Sequence, residues 1–190
     1  MRIKKMTFNK STIYAVKFLN PEEIISKLEI LSGMKVAHFG CGTGFFTFPV
    51  AKKVGEEGLI YALDILEPKL ETIKSQAKIL GLNNIEVARA NLEEKKATKI
   101  GKESIDWVLI VNMLYQNKNK EEIFSEAERI LKVGGHILLI DWEETDRSLG
   151  PEIKNRVSKD EILSLIQKNK LSVSEKINIS SFHFGWILTK

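Results

Sequence analysis

Apolar positions along the chain switch repeatedly between short dense runs and spaced stripes. Dense runs lie at Val36 to Phe39, Leu59 to Leu63, Ile85 to Ala90, Ile105 to Val111 and Ile137 to Ile140. Their length and bounding turn residues predict strands, and the nearly all-apolar fourth run suits a strand buried on both faces. Between them lie helical patterns. Asn20-Pro21-Glu22-Glu23 reads as an N-cap, a proline at the first helical position and a first-turn acid. Ile24, Ile25, Leu28 and Leu31 then form one stripe, with Gly33 as its stop. A second helix is expected from Gly44 to Val54. A third begins at Glu67-Pro68, carries Leu70, Ile73, Ala77 and Leu80, and ends at Gly81. Asn119 with Glu122 resembles a capping box ahead of Ile123, Phe124, Ala127, Ile130 and Leu131, and Ser158 with Glu161 resembles another, before a helix ending near Lys168. Gly134-Gly135 is expected to turn the chain into the fifth strand. The charged segment Glu93 to Glu103 leaves little room for a packed helix.

This alternation predicts an α/β fold, a mostly parallel sheet with helices on both faces. The last two strands, near Leu171 to Ile179 and Phe182 to Leu188, are joined by Ser180-Ser181. So short a link predicts an antiparallel hairpin, because a parallel pair needs a long crossover. The 190 residues suit one domain, divided into an N-terminal arm and helix (1–32) and a core (33–190).

Composition narrows the class. The chain is 43% apolar and 28% charged, as in ordinary globular proteins. Its net charge is +4, but the basic residues are scattered and only Arg2, Arg89, Arg129, Arg147 and Arg156 are arginine. Nucleic-acid surfaces cluster their basic groups, so a solvated lysine-rich surface is expected instead. The one cysteine, Cys41, forbids an intrachain disulfide and suits a reducing cytoplasm. The basic start is followed by no apolar signal segment, and the run from Trp107 to Leu114 is too short to span a membrane. No metal-ligand cluster is visible.

Chemistry enters at Gly40-Cys41-Gly42-Thr43-Gly44, a glycine loop between the first strand and a helix. Such a loop lets backbone approach a ligand and offers free helix-terminal amides. Its spacing is G-x-G-x-G. A dinucleotide site prefers G-x-G-x-x-G/A, and here Phe45 stands in the sixth place, which disfavours a nicotinamide oxidoreductase. Asp64 ends the second strand, 24 residues after Gly40. A carboxylate there can accept from two ribose hydroxyls, or it can serve only as a turn residue.

Val36 to Gly44, then Ala62-Leu63-Asp64, Ile105 to Val108 and Leu131 to Gly135 resemble the successive motifs of class I S-adenosylmethionine-dependent methyltransferases. Ile140-Asp141-Trp142 with Gly150-Pro151 is similar to the small methyltransferases related to ubiquinone and menaquinone biosynthesis. The resemblance runs from about Gly33 to Lys190. It implies a Rossmann-like three-layer sandwich with a seven-stranded, mostly parallel sheet and an antiparallel C-terminal strand. It implies S-adenosylmethionine as cofactor, with Gly40, Cys41, Gly42 and Gly44 along the methionine part and Asp64 on the ribose. Ile65 would pack on adenine, Asn91 and Leu92 would meet its edge, and Val111 and Asn112 would pass under the sulfonium. Asp106, at the other end of its strand, would be structural. The acceptor would be a small molecule, by direct in-line transfer. An S-adenosylmethionine-binding protein without catalysis, and a methyltransferase acting on RNA or protein, remain alternatives. Neither the acceptor nor a possible homodimer follows from these motifs.

Three positions depart from the pattern. His38 stands where the family usually has an acid for the cofactor's amine. A neutral imidazole can accept that bond, and a satisfied core histidine is the other reading. Asn91 replaces a common aspartate, keeping an acceptor oxygen, though it too suits a turn. Relatives often carry a histidine near Tyr115. Candidates for a base, if the nucleophile must lose a proton, are Tyr115, Asp141, Glu143 and His183, each with a structural alternative. Alternation places His183 opposite Phe182 and Phe184, on a face that can be solvent. The lone thiol excludes arsenic methylation, and the lack of Asn-Pro-Pro-Tyr after the fourth strand argues against adenine methylation of DNA. The arm, residues 1–19, carries Phe8, Tyr14 and Phe18 among polar residues and is expected to cover a bound ligand, or else to pack permanently on the sheet or be disordered.

Overall fold

A computed structural model describes residues 19–145 and 149–190. The expected arm therefore lies outside the described residues, apart from Leu19. In chain order the elements are α1 (Pro21–Ser26), β1 (Lys35–Phe39), α2 (Thr47–Val54), β2 (Leu59–Asp64), α3 (Glu67–Leu80) and β3 (Ile85–Arg89). There follow β4 (Ile105–Val111), α4 (Lys120–Ile130), β5 (Leu131–Trp142), α5 (Lys159–Lys168), β6 (Ser172–Asn178) and β7 (His183–Thr189).

The strands form one sheet in the order β3-β2-β1-β4-β5-β7-β6. All pairs from β3 to β5 are parallel, and β7 runs antiparallel to both β5 and β6. Strand alternation divides the core between the two faces. Val36, Trp107, Leu109, Leu138 and Ile140 meet α1 and α2 on one side, and Ala62 on the same face meets Leu70 and Ile73 of α3. Phe39, Val108, Ile110, Ile137 and Leu139 meet α4 and α5 on the other. Both faces are thus dry, which is why β4 reads as an unbroken apolar run. No helix among the described residues is long and apolar enough to cross a membrane.

Several boundaries differ from the sequence reading, each for a local reason. The first helix stops at Ser26 rather than near Gly33. The Lys53 ammonium, from α2, bonds the carbonyls of Ile25 at 2.6 Å and Leu28 at 2.7 Å, ending the helix by a contact remote in sequence. The chain beyond then alternates, burying Leu28 and Ile30 and leaving Leu31 exposed. The second helix begins at Thr47 and not at Gly44, because Gly44 sits at φ +94, outside helical space. Asn119 makes no capping bond from its side chain. Its amide donates instead to the Glu93 carbonyl, while Glu93 Oε1 accepts from the backbone N–H of Lys118 and Asn119. Ser158 does cap α5, accepting from Glu161 N at 3.1 Å.

Gly134-Gly135 is not a turn before the fifth strand. Leu131, expected on the helix, already pairs with Ile105, and the glycines form an irregularity inside β5 before His136 pairs with Trp107. A Cβ on Gly135 would lie 2.9 Å from Leu131 and 3.0 Å from the Asp106 carbonyl, so the strand closes over itself only with glycine there. The segment from Glu93 to Glu103 contains no helix, as expected. It is pinned by Glu126, a buried carboxylate that accepts from Thr98 and pairs with Arg129 at 2.8 Å.

Candidate functional site

The strand order reverses direction at β1, which has β2 on one side and β4 on the other. In open α/β sheets such a switch point leaves a crevice beyond the carboxyl ends of the strands. A groove of about 250 Å³ lies there, walled by Gly40 after β1, Asp64 and Ile65 after β2, Asn91 and Leu92 after β3, and Asn112 after β4. Six residues that the motifs nominate separately thus share one cavity. Asp106 sits at the opposite end of β4, as expected, holding the Lys35 N–H at 2.8 Å and Lys132 at 2.6 Å.

Asp64 is a buried carboxylate held in this groove by backbone. Its Oδ2 accepts the Gly42 N–H at 3.0 Å and its Oδ1 accepts the Leu66 N–H at 2.9 Å. The carboxylate therefore ties the glycine loop to the β2–α3 turn. Each oxygen keeps a further lone pair, and the groove is where a pair of hydroxyls would meet them. Lys69, on the groove wall, lies 3.9 Å from Oδ2 and is 40% exposed in its side chain, too far and too wet to compete strongly.

The glycines of the loop differ in purpose. A Cβ on Gly42 would meet nothing within 4 Å, so that side of the loop is open to a ligand. A Cβ on Gly44 would lie 2.5 Å from the Phe48 ring, and φ there is +94. Gly44 is thus required by packing. We expect Gly44→Ala to destabilise the fold by roughly 2–4 kcal/mol, combining overpacking with backbone strain. Gly42→Ala should lose only about 1 kcal/mol, from strain alone. Urea midpoints of the two variants check this, and equal midpoints would contradict it.

A second cleft adjoins the first. Leu19, His38, Gly40, Cys41, Phe46, Val111 and Asn112 are among its walls, and Gly40 and Asn112 belong to both cavities. His38 is buried, with Nδ1 2.9 Å from the Thr47 hydroxyl and its ring edge-on to Phe46. Burial pushes its pKa down to about 4, against a small upward pull from Asp64. The imidazole is consequently neutral near pH 7. His38 is both a hydrogen-bonded buried residue and a wall of the cleft, so the two sequence readings are compatible. Cys41 is buried, and its thiol is pushed up to about 12 by burial and by Asp64, which makes it unreactive wall.

Asn112 occupies the junction of the two cavities. Its backbone is left-handed, φ +50, with its N–H donated to the Ile140 carbonyl at 2.8 Å. Its side-chain Nδ2 lies 3.2 Å from His183 Nε2. His183 is not turned to solvent, as its alternation with the phenylalanines allowed. It is 3% exposed, stacked 4.2 Å from Trp142, with Nδ1 3.2 Å from the Ser180 hydroxyl. The reason is tertiary. Trp142, at the end of β5, and Asn112, after β4, lie against the ring and cover that face of β7. Burial and the nearby Arg156 charge lower the His183 pKa to about 4, leaving a neutral ring that can accept from Asn112 Nδ2. Among the described residues, the buried side-chain polar atoms without a partner are Asn112 Oδ1 and Trp142 Nε1. Both belong to side chains that touch His183. An unpaired buried polar atom costs about 1–3 kcal/mol.

The remaining base candidates stand elsewhere. Asp141 is 1% exposed, and its oxygens accept from Leu114 N at 3.1 Å and Trp142 N at 2.8 Å, so it secures the turn after β4 to the end of β5. Burial raises its pKa to about 6. Tyr115 is half-buried against the α4 side of the core, its pKa raised by burial and by the Asp141 carboxylate. Glu143 pairs with Lys159 at 2.7 Å. None of these, nor His183, is among the walls of the two cavities, although His183 reaches them through Asn112. Lys69, Met113, Gln116 and Asn117 line the groove without any sequence signal. They follow strand ends at spacings that only the loop conformation determines.

The fold is that of known proteins. A model of a methyltransferase domain matches residues 30–188. The demethylmenaquinone methyltransferase of Lactococcus lactis subsp. lactis is 32% identical over 111 residues, covering 58% of this chain and 43% of the relative. The chain spans about half the length of the curated relatives it matches. Among solved structures, a SAM dependent methyltransferase from Aquifex aeolicus superposes with a TM-score of 0.84 at 22% identity, covering 96% of this chain and 98% of the other. Geranyl diphosphate C-methyltransferase from Streptomyces coelicolor, in complex with Mg2+, geranyl diphosphate and S-adenosyl-L-homocysteine, gives 0.75 at 15% identity, covering 94% and 81%. At these identities the structural likeness concerns the fold. With the family model spanning most of its length, the chain belongs to the methyltransferase domain family.

Proposed function

We propose that this chain is an S-adenosylmethionine-dependent methyltransferase acting on a small organic acceptor. The observation that carries the reading is Asp64, fixed by two backbone bonds in a groove at the sheet's switch point, beside a loop whose Gly42 face is open. In this reading Asp64 takes the ribose hydroxyls, Ile65 and Leu92 flank the adenine, and Asn91 meets its edge. Gly40, Cys41 and Gly42 run along the methionine part, with His38 toward its amine. Val111 and Asn112 lie under the reacting centre. The relative's name, demethylmenaquinone methyltransferase, and that of the geranyl diphosphate enzyme both point to small acceptors. The scattered basic residues do not favour RNA, and the free thiol of Cys41 suits a reducing cytoplasm.

The bound cofactor supplies a methyl group already activated on a sulfonium. The chain's own residues then have little covalent work. They hold the acceptor in line, which is worth roughly 7–11 kcal/mol in ideal cases, and they keep water out. A cofactor-binding protein without turnover is the second reading, supported by His38 where the family usually has an acid.

Calorimetry with S-adenosylhomocysteine and NAD in parallel tests the proposal. S-adenosylhomocysteine should bind and NAD should not. NAD binding without S-adenosylhomocysteine binding would overturn it.

A further inference from the structure

We propose that Glu93 is a positioning residue for the adenosine half of the cofactor, a side chain that spans from the loop after β3 to the loop after β4 and holds those two walls of the groove together. The inference rests on the functional reading above and adds to it a residue that no motif nominates.

Three observations carry it. First, the two loops are separate walls of one cavity. Asn91, Leu92 and Glu93 come from the first, Gln116 and Asn117 from the second. Second, Glu93 joins them by three hydrogen bonds between residues far apart in sequence. Its Oε1 accepts the N–H of Lys118 at 2.6 Å and that of Asn119 at 2.7 Å, and its carbonyl accepts from Asn119 Nδ2 at 3.0 Å. Third, the loop after β3 needs such a tie. β3 lies at the edge of the sheet, with β2 as its strand neighbour. A segment supported from one side opens at low cost, and a ligand that must order it binds less tightly. Asn91, assigned above to the adenine edge, moves with the tie, because its Oδ1 accepts the Glu93 N–H at 3.3 Å. The same bonds also serve backbone N–H groups just ahead of α4, where Asn119 gives no side-chain cap. Stability alone therefore does not identify the role, and the affinity pattern must.

The test measures dissociation constants for S-adenosylhomocysteine and 5′-methylthioadenosine, with urea midpoints, on the full chain and four variants. Glu93→Ala loses both Oε1 bonds and should weaken the two ligands by the same factor, about tenfold, since they share the adenosine. Glu93→Gln retains Oε1 as a carbonyl acceptor and should stay within about threefold of the natural protein. Glu93→Asp keeps the charge but is one methylene shorter, and should be as weak as the alanine variant. Thr98→Ala removes a bond to Glu126 at the far end of the same segment. It should lower the urea midpoint and leave both affinities unchanged. Unchanged affinities in Glu93→Ala, a glutamine variant as weak as the alanine one, or an aspartate variant as tight as the natural protein would each overturn the proposal. So would a loss confined to S-adenosylhomocysteine, or an equal loss in Thr98→Ala. If the alanine variant does not fold, the contrast between glutamine and aspartate decides by itself. Absence of S-adenosylhomocysteine binding to the natural protein overturns the cofactor reading and this proposal with it, whereas binding that Glu93→Ala leaves unchanged overturns this proposal alone.

Discussion

Replacing Asp64 by alanine should raise the dissociation constant for S-adenosylhomocysteine at least about 100-fold. A hydrogen bond to a charged group is worth roughly 1.5–3 kcal/mol, and two ribose bonds would be lost together. The structure adds a second contribution. Asp64 also holds Gly42 N and Leu66 N, so its removal frees the glycine loop from the β2–α3 turn. The loop must then be ordered by the ligand, which weakens binding further. Asp64→Asn keeps an acceptor oxygen and should lie between the two. Calorimetric titration of the three proteins, alongside urea unfolding, separates binding from folding. An unchanged dissociation constant in folded Asp64→Ala would reduce Asp64 to a turn residue.

Stability should fall as the pH drops from about 6.5 to about 4, because of two buried histidines. The pKa of His38 and of His183 is lowered from 6.5 to about 4 in the folded chain. Between those values the unfolded chain binds the protons and the folded chain does not, so acid favours unfolding. Each histidine contributes roughly 2 kcal/mol of this loss by pH 4.5. Asp141 acts the other way. Its pKa is raised from 3.8 to about 6, so its neutral form is favoured on folding and acid returns a similar amount. Two histidines outweigh one aspartate, leaving a net loss on the order of 2–3 kcal/mol. His38→Asn retains a partner for Thr47 and should remove about 2 kcal/mol of the acid dependence. Urea midpoints measured at about pH 7 and about pH 4.5 decide it. Equal acid sensitivity in the variant and the natural protein would show that His38 does not stay neutral. By the same reasoning, cofactor affinity should be insensitive to His38 between about pH 5.5 and 8, since the ring carries no charge to lose there.

The elements that were legible in the sequence are those whose signals are local. β1, β2 and β4 announce themselves as dense apolar runs, and both sheet faces are covered by helices as that density requires. The end of α3 at Gly81 follows from its left-handed cap. Ser158 caps α5 with a residue three places on. Asn119 offers the same local pattern and fails, because Glu93 reaches its backbone from 26 residues away. The end of α1 is hidden for the same kind of reason, lying under the Lys53 ammonium.

The candidate site divides along the same line. The G-x-G-x-G loop and the carboxylate at the end of β2 were readable from position, because strand ends in a parallel sheet must converge on one edge, and the asparagine after β4 came from the family resemblance. What His183 does was not readable. Alternation places it on the face opposite Phe184, and only Trp142 and Asn112, brought over it by the fold, bury that face. Its partner Asn112 lies 71 residues earlier in the chain. By itself the sequence determined most strands and helices, the loop and the acid, since each rests on neighbours within a few residues. Tertiary structure alone decided that Asn112 turns its amide nitrogen to His183 and leaves its oxygen unpaired, because that depends on strands brought together by the fold and on no spacing along the chain.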